Sequence, residues 1–218
     1  MHEPWPYCER LGPEVFGEPW NTVTNAAFWV AGVIAWRQLA HRWRGVPWVR
    51  RWDVGLLVAL LFAIGLGSAL WHATAEPWAE MADVVPIGLF AAVYLGSYLA
   101  RSFGLRPAAV ALGLASFVAV NAIVQILVPR TVLNGSAGYA PMWLTIAAVA
   151  VAERLRGSPR ARVMTLAFLL FSFSMVLRTI DRAVCDALST GTHPFWHVTN
   201  AVLLALLVTA LPRPLADD

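Results

Sequence analysis

Three histidines stand at the ends of long apolar segments, where an ionisable side chain is costly and usually has a task. His72 closes the run GLGSALWH, and His193 and His197 open another as HPFWH. Histidines four apart share one face of a helix, one turn from each other. Pro194 suits a first-turn position, where its missing N–H costs little. Two imidazoles on one helix turn plus a third from another helix make a facial set for Zn²⁺ with one position open to water, the layout of a hydrolytic zinc site. Singly, each histidine would read as an interfacial residue packed among Trp71, Trp78 and Trp196; a trio at one depth favours a metal. Paired histidines on membrane helices also ligate haem, but His193 and His197 share a helix face, whereas axial ligands lie on opposite faces of the ring.

Two further residues suit the same chemistry. Ser68 precedes His72 by four and projects from the same face, one turn deeper, where a hydroxyl can steady a developing oxyanion. In its G-S-A context it also reads as a small residue for close helix packing. Asp83, at the start of the next apolar segment, needs a nearby cation or donor. Beside a zinc-bound water with its pKa lowered to about 7 it is the natural proton carrier; the alternative is a helix N-cap. Glu76 and Glu80 in the same connector read as solvated. Asp181, Arg178 and Arg182 form either an ion-pair cluster lining the cavity or an interfacial network. Asn25, Asn121, Gln125 and Asn200 are polar residues within apolar segments and candidates for interhelical hydrogen bonds.

The elements that carry these residues must be membrane helices. The 218 residues are 59% hydrophobic and 13% charged, with a mean hydropathy of +0.62, against about 25% charge in ordinary soluble domains. A span needs about 20 mostly apolar residues. The apolar stretches predict seven spans, over 22–39, 54–71, 82–100, 107–128, 139–152, 163–180 and 195–211. The expected fold is an all-α seven-helix membrane bundle forming one domain, 1–218. Within it, 1–21 is an extramembrane segment over the outer face, 22–211 the bundle and 212–218 a short tail. The first nineteen residues hold four prolines and four acidic residues and no apolar core, so they do not read as a signal peptide.

The net charge is +3 and every Lys/Arg position is arginine. These arginines sit in short loops, which records topology and not nucleic-acid binding. Arg42, Arg44, Arg50 and Arg51 follow span one, Arg101 and Arg106 follow span three, and Arg154, Arg156, Arg160 and Arg162 follow span five. The alternate connectors hold little beyond Arg130 and Arg182. The positive-inside rule then sets the N-terminus outside and the C-terminus in the cytoplasm, as in a bacterial inner membrane. On this topology His72, Asp83, His193, His197 and the N-terminal Glu9 and Glu18 all fall at the outer end. So do Cys8 and Cys185, either as a bridge, which an oxidising compartment would preserve, or as two free thiols.

The strings YCER, EPWNTVTN, GSALWH with an aspartate eleven residues after the histidine, and HPFWH, in that order, resemble the alkaline ceramidase family. That family belongs to a wider seven-span group of metal hydrolases that includes the progestin and adiponectin receptors. The resemblance runs from Cys8 to His197. It implies zinc on His72, His193 and His197, catalytic roles for Ser68 and Asp83, and a Cys8–Cys185 disulfide. It also implies a calcium site in the N-terminal segment, with Glu9 and Glu18 at its glutamates. Pro6 stands where the family has an aspartate, and Arg10 and Leu11 offer no side-chain oxygen where an asparagine is expected.

The expected activity is zinc-dependent hydrolysis of a lipid amide such as ceramide, entering from the bilayer and yielding a fatty acid and a sphingoid-type amine. The alternative is a zinc-stabilised seven-helix sensor without turnover. Closed structural zinc sites carry four protein ligands, and three histidines favour the enzyme. A transporter would show broken helices and internal repeats, and no repeat is evident. Acyl length, amide against ester, and oligomeric state are not legible.

Overall fold

The computed structural model describes residues 7–213, and these form helices with no strand among them. In chain order the α-helices are α1 (Pro19–Thr24), α2 (Ala26–Arg42), α3 (Trp52–Thr74), α4 (Pro77–Ser102), α5 (Pro107–Leu127), α6 (Ala140–Leu155), α7 (Ala161–Ile180) and α8 (His193–Ala210). Proline occupies the first or second position of α1, α4, α5, α6 and α8, where it has no hydrogen bond to lose.

Six segments are long and apolar enough to cross a membrane: Trp52–Thr74, Pro77–Ser102, Pro107–Leu127, Val132–Leu155, Ala161–Val184 and His193–Ala210. The case for lipid is clearest at α5. Its mean hydropathy is 2.2, yet it buries no residue against the rest of the protein, so an apolar solvent must cover it. This is a membrane protein.

The expected span 22–39 is divided in the structure, whereas 139–152 agrees with α6 and is preceded by a segment that is not α-helical. The stretch 22–39 is not one helix: α1 ends at Thr24, Asn25 intervenes, and α2 has 17 residues, about 26 Å of rise against a core of about 30 Å. The Asn25 amide donates back to the Asn21 carbonyl at 2.8 Å. The stretch before α6 is a 3₁₀ segment, Val132–Tyr139, in which Leu133, Asn134 and Gly135 have φ of 52°, 52° and 80°. Of the polar residues within the spans, Asn200 on α8 bonds Ser174 on α7 at 2.5 Å, whereas Asn121 bonds Phe117 of its own helix.

The pairing of α3 with α4 positions the chemistry. Ala75 takes a left-handed conformation (φ 53°), donates its N–H to the Trp71 carbonyl and ends α3, and α4 starts two residues later. So tight a turn folds α4 back against α3. They approach closely at Gly67, where a Cβ would run into the Ala82 carbonyl. That carbonyl is available because Pro86, four residues on, has no N–H to bond it; the glycine's Cα–H faces it instead. Ser68 and Asp83 are the next residues on the two chains, so this contact brings them together. Gly67→Ala will separate the helices, costing about 1–3 kcal/mol as overpacking. It should lower the thermal midpoint in detergent and displace Asp83. An unchanged midpoint would contradict the packing.

The bundle has two chemically distinct ends. At one, Arg101 pairs with Asp53 at 2.5 Å and bonds the Arg50 carbonyl at 3.0 Å, and Tyr98 donates to buried Glu153 at 2.8 Å. At the other, the N-terminal segment lies across the helix ends. Phe16 donates its N–H to the Ala73 carbonyl at 2.7 Å, and Cys8 is disulfide-bonded to Cys185 beyond α7. The bridge expected from the resemblance is therefore present.

Candidate metal centre

All three histidines of the sequence motif meet at the end covered by the N-terminal segment. His72 comes from the last turns of α3, and His193 and His197 from the first turns of α8. Their exposures are 1%, 1% and 0%, and one ligand atom from each lies within 4.8 Å of the others. The Nε2 atoms of His72 and His197 are 3.1 Å apart. Two nitrogens on a tetrahedral zinc with bonds of about 2.0–2.1 Å would stand about 3.3 Å apart.

The other ring nitrogens are already engaged. His72 Nδ1 meets Glu18 Oε2 at 2.5 Å, and His197 Nδ1 meets Thr24 Oγ1 at 2.9 Å. Partners on Nδ1 leave Nε2 as the ligand nitrogen and fix the ring's orientation. His193 is held by stacking, between Tyr7 (centroids 4.0 Å) and Trp196 (5.0 Å); its Nδ1 is buried without a hydrogen-bond partner. Ser68 Oγ and Asp83 Oδ1 are also buried. The Ser68 hydroxyl lies within hydrogen-bonding reach of the Asp83 carboxylate, which is also within electrostatic reach of His72. These polar groups gather beside three converging imidazoles, and this donor set fits a cation with an open position.

A family model described as Ceramidase matches residues 7–212. The chain belongs to the ceramidase family. Membership supports a hydrolase acting on amide bonds with a lipid substrate. No curated protein and no solved structure matches the chain.

Calcium, the other metal that the resemblance implies, does not fit this ceramidase-family chain. Glu9 accepts the N–H groups of Trp20 (2.6 Å) and Asn21 (2.8 Å), one on each oxygen, and so caps α1. Glu18 Oε1 accepts from Arg10 Nε at 2.6 Å; Oε2 faces His72 and accepts from Asn21 Nδ2 at 2.8 Å. All four carboxylate oxygens thus hold nitrogen partners, Leu11 is 93% exposed, and Pro6 lies outside the described residues. Calcium takes six to eight oxygens. Burial pushes the Glu18 carboxyl up, but hydrogen bonding and charge from His72, then hydrogen bonds from Arg10 and Asn21, outweigh it and hold it below its ordinary value.

Glu18→Gln replaces the charged acceptor at His72 Nδ1 with a neutral amide. Loss of an outer-shell partner typically costs 10–100-fold in metal affinity, so metal retention during dialysis should fall by about that factor. Unchanged retention would contradict the role.

Among the described residues Asp181 pairs with no cation. Its Oδ1 accepts the N–H groups of Thr192 (2.7 Å) and His193 (2.8 Å), and its Oδ2 that of Cys8 (3.1 Å). One carboxylate thereby ties the N-terminal segment to the start of α8 and sets the height of His193. Gly191 (φ +64°) is needed beside it, because a Cβ there would collide with that carboxylate. Glu80 pairs with Arg130.

Sequence reasoning missed Tyr7, Thr24 and the placing of Arg178, which packs against the rings of Tyr7, Tyr139 and Trp196 at 5.5–5.6 Å and bonds the Tyr7 hydroxyl at 3.1 Å. Below these rings an apolar cavity enters the bundle, lined by Trp196 and Tyr139, then Phe90, Tyr94 and Leu203, and Tyr98.

Proposed function

We propose that the protein is a zinc-dependent intramembrane amidohydrolase that cleaves ceramide or a related N-acyl lipid. The observation that carries this reading is the convergence of three buried imidazoles, two of them oriented through Nδ1 by Glu18 and Thr24, beside buried Ser68 and Asp83. The family match and the apolar cavity under Trp196 support a lipid amide as substrate.

His72, His193 and His197 would hold the zinc, which when bound would lower the pKa of a water to about 7 and polarise a carbonyl. Asp83 accepts the proton of the attacking water at its carboxylate and passes it to the leaving nitrogen as the C–N bond breaks and the new C–O bond forms. Ser68 donates its hydroxyl proton in a hydrogen bond to the carbonyl oxygen as charge develops. The apolar walls below Trp196 and Tyr139 take up a hydrocarbon chain and keep bulk water from the reacting carbonyl. A fatty acid and a sphingoid-type amine leave.

The chain is read as a single domain with seven spans, α1 and α2 together supplying the seventh. Its arginine-rich end faces the cytoplasm and the metal centre lies near the outer face of a bacterial inner membrane.

The test is product analysis of purified protein with a panel of N-acyl lipids, with and without a chelator. The expected result is release of fatty acid and free amine from an N-acyl sphingoid lipid, lost on chelation and restored by zinc. Zinc-loaded protein that turns over no lipid amide would overturn the reading in favour of a metal-stabilised sensor.

A further inference from the structure

We infer that the guanidinium of Arg10 is the built-in cation of the N-terminal segment, and that it positions His72 through Glu18.

Arg10 is almost fully buried, with 3% exposure. Its Nε donates to Glu18 Oε1 at 2.6 Å, its Nη1 to the carbonyls of Gly12 (3.4 Å) and Glu14 (3.1 Å), and its Nη2 to the carbonyl of His72 at 2.6 Å. Among the described residues this cation meets one carboxylate and three backbone carbonyls, the kind of oxygen partners that calcium uses. A guanidinium takes them instead, with its donors in a fixed planar fork. The turn around it is shaped to that group. A Cβ at Gly17 would stand 3.0 Å from Nη1, and Phe16 takes a left-handed conformation (φ 61°) to close the loop.

The consequence reaches the metal centre in two ways. A buried carboxylate needs a partner charge, and Arg10 supplies it to Glu18, the residue that orients His72. The His72 carbonyl is also among the last of α3, which lack helical N–H partners, and Arg10 bonds it directly. The same guanidinium therefore grips the backbone of His72 and the carboxylate on its ring. Arg10 is a positioning residue, and it makes calcium unnecessary. The His72 part rests on the proposed zinc site, while the calcium part does not.

The experiment uses the purified full-length protein and three readouts. Equilibrium dialysis with radioactive calcium should show no stoichiometric binding up to about 1 mM, the weak end of extracellular calcium modules; one bound calcium per chain would overturn the inference. Arg10→Ala should shed zinc about tenfold or more faster in dialysis, the scale of an outer-shell loss. Added methylguanidinium or the Arg10→Lys variant should restore part of that retention. Zinc retention equal to wild type would overturn the positioning role. So would a loss of retention that neither methylguanidinium nor lysine improves. If Arg10→Ala fails to fold, the dialysis of the wild-type protein and the zinc retention of Arg10→Lys still decide. All three readouts are independent of turnover. A protein inactive on every lipid amide but blind to calcium would sink the proposed function and leave this inference standing, and an active, calcium-binding one would do the reverse.

Discussion

His197→Ala will strip the metal and abolish hydrolysis. Its imidazole is fully buried, its Nε2 lies 3.1 Å from that of His72, and Thr24 holds its other nitrogen. Alanine leaves two imidazoles where a catalytic zinc takes three protein ligands. Loss of a mere outer-shell partner costs up to about 100-fold in affinity, so loss of a ligand should exceed that. His41, exposed at the opposite end of the bundle, is the control: His41→Ala should keep full zinc and full activity. Metal content by mass spectrometry and product release, measured on the same sample, read both effects. A His197→Ala protein that keeps stoichiometric zinc would show that the triad is not the ligand set.

Asp83→Asn should separate holding the metal from doing chemistry. The amide keeps the size of the side chain beside Ser68 but cannot take a proton from water. General acid–base groups contribute about 10²–10⁴-fold, so kcat should fall by that factor with zinc retained. If Asp83 acts only in the transition state, kcat and kcat/KM will drop together with KM little changed. Loss of zinc along with activity would instead make Asp83 a fourth protein ligand, and a closed four-ligand site is structural.

How much of this was legible in the sequence depends on the range of each contact. Ser68 and His72, or His193 and His197, are related by one helical turn, so spacing alone put each pair on one face. The arginine distribution placed the same residues at one end of the bundle, and the structure brings them together there. Contacts across long separations carried no such signal. Glu18 reads as a calcium ligand by its motif, and only the fold shows its carboxylate on a histidine 54 residues away. Asp181 reads as one of a charged trio with Arg178 and Arg182, yet it bonds backbone N–H groups from two distant segments. Tyr7 is one aromatic residue among many until it stacks on His193. The division of the stretch 22–39 was not legible for a different reason. Hydropathy averages across Asn25, where α1 gives way to α2, and says nothing of Thr24 meeting His197.

The central claim is a hydrolytic metal held by three imidazoles. X-ray absorption at the zinc edge, on purified protein, tests it most directly. Three nitrogen scatterers at about 2.0–2.1 Å and one further oxygen are expected, with one nitrogen lost in each of the His72, His193 and His197 alanine variants that still retain metal. A shell of four protein ligands, or purified protein that binds no zinc when zinc is supplied, would contradict it.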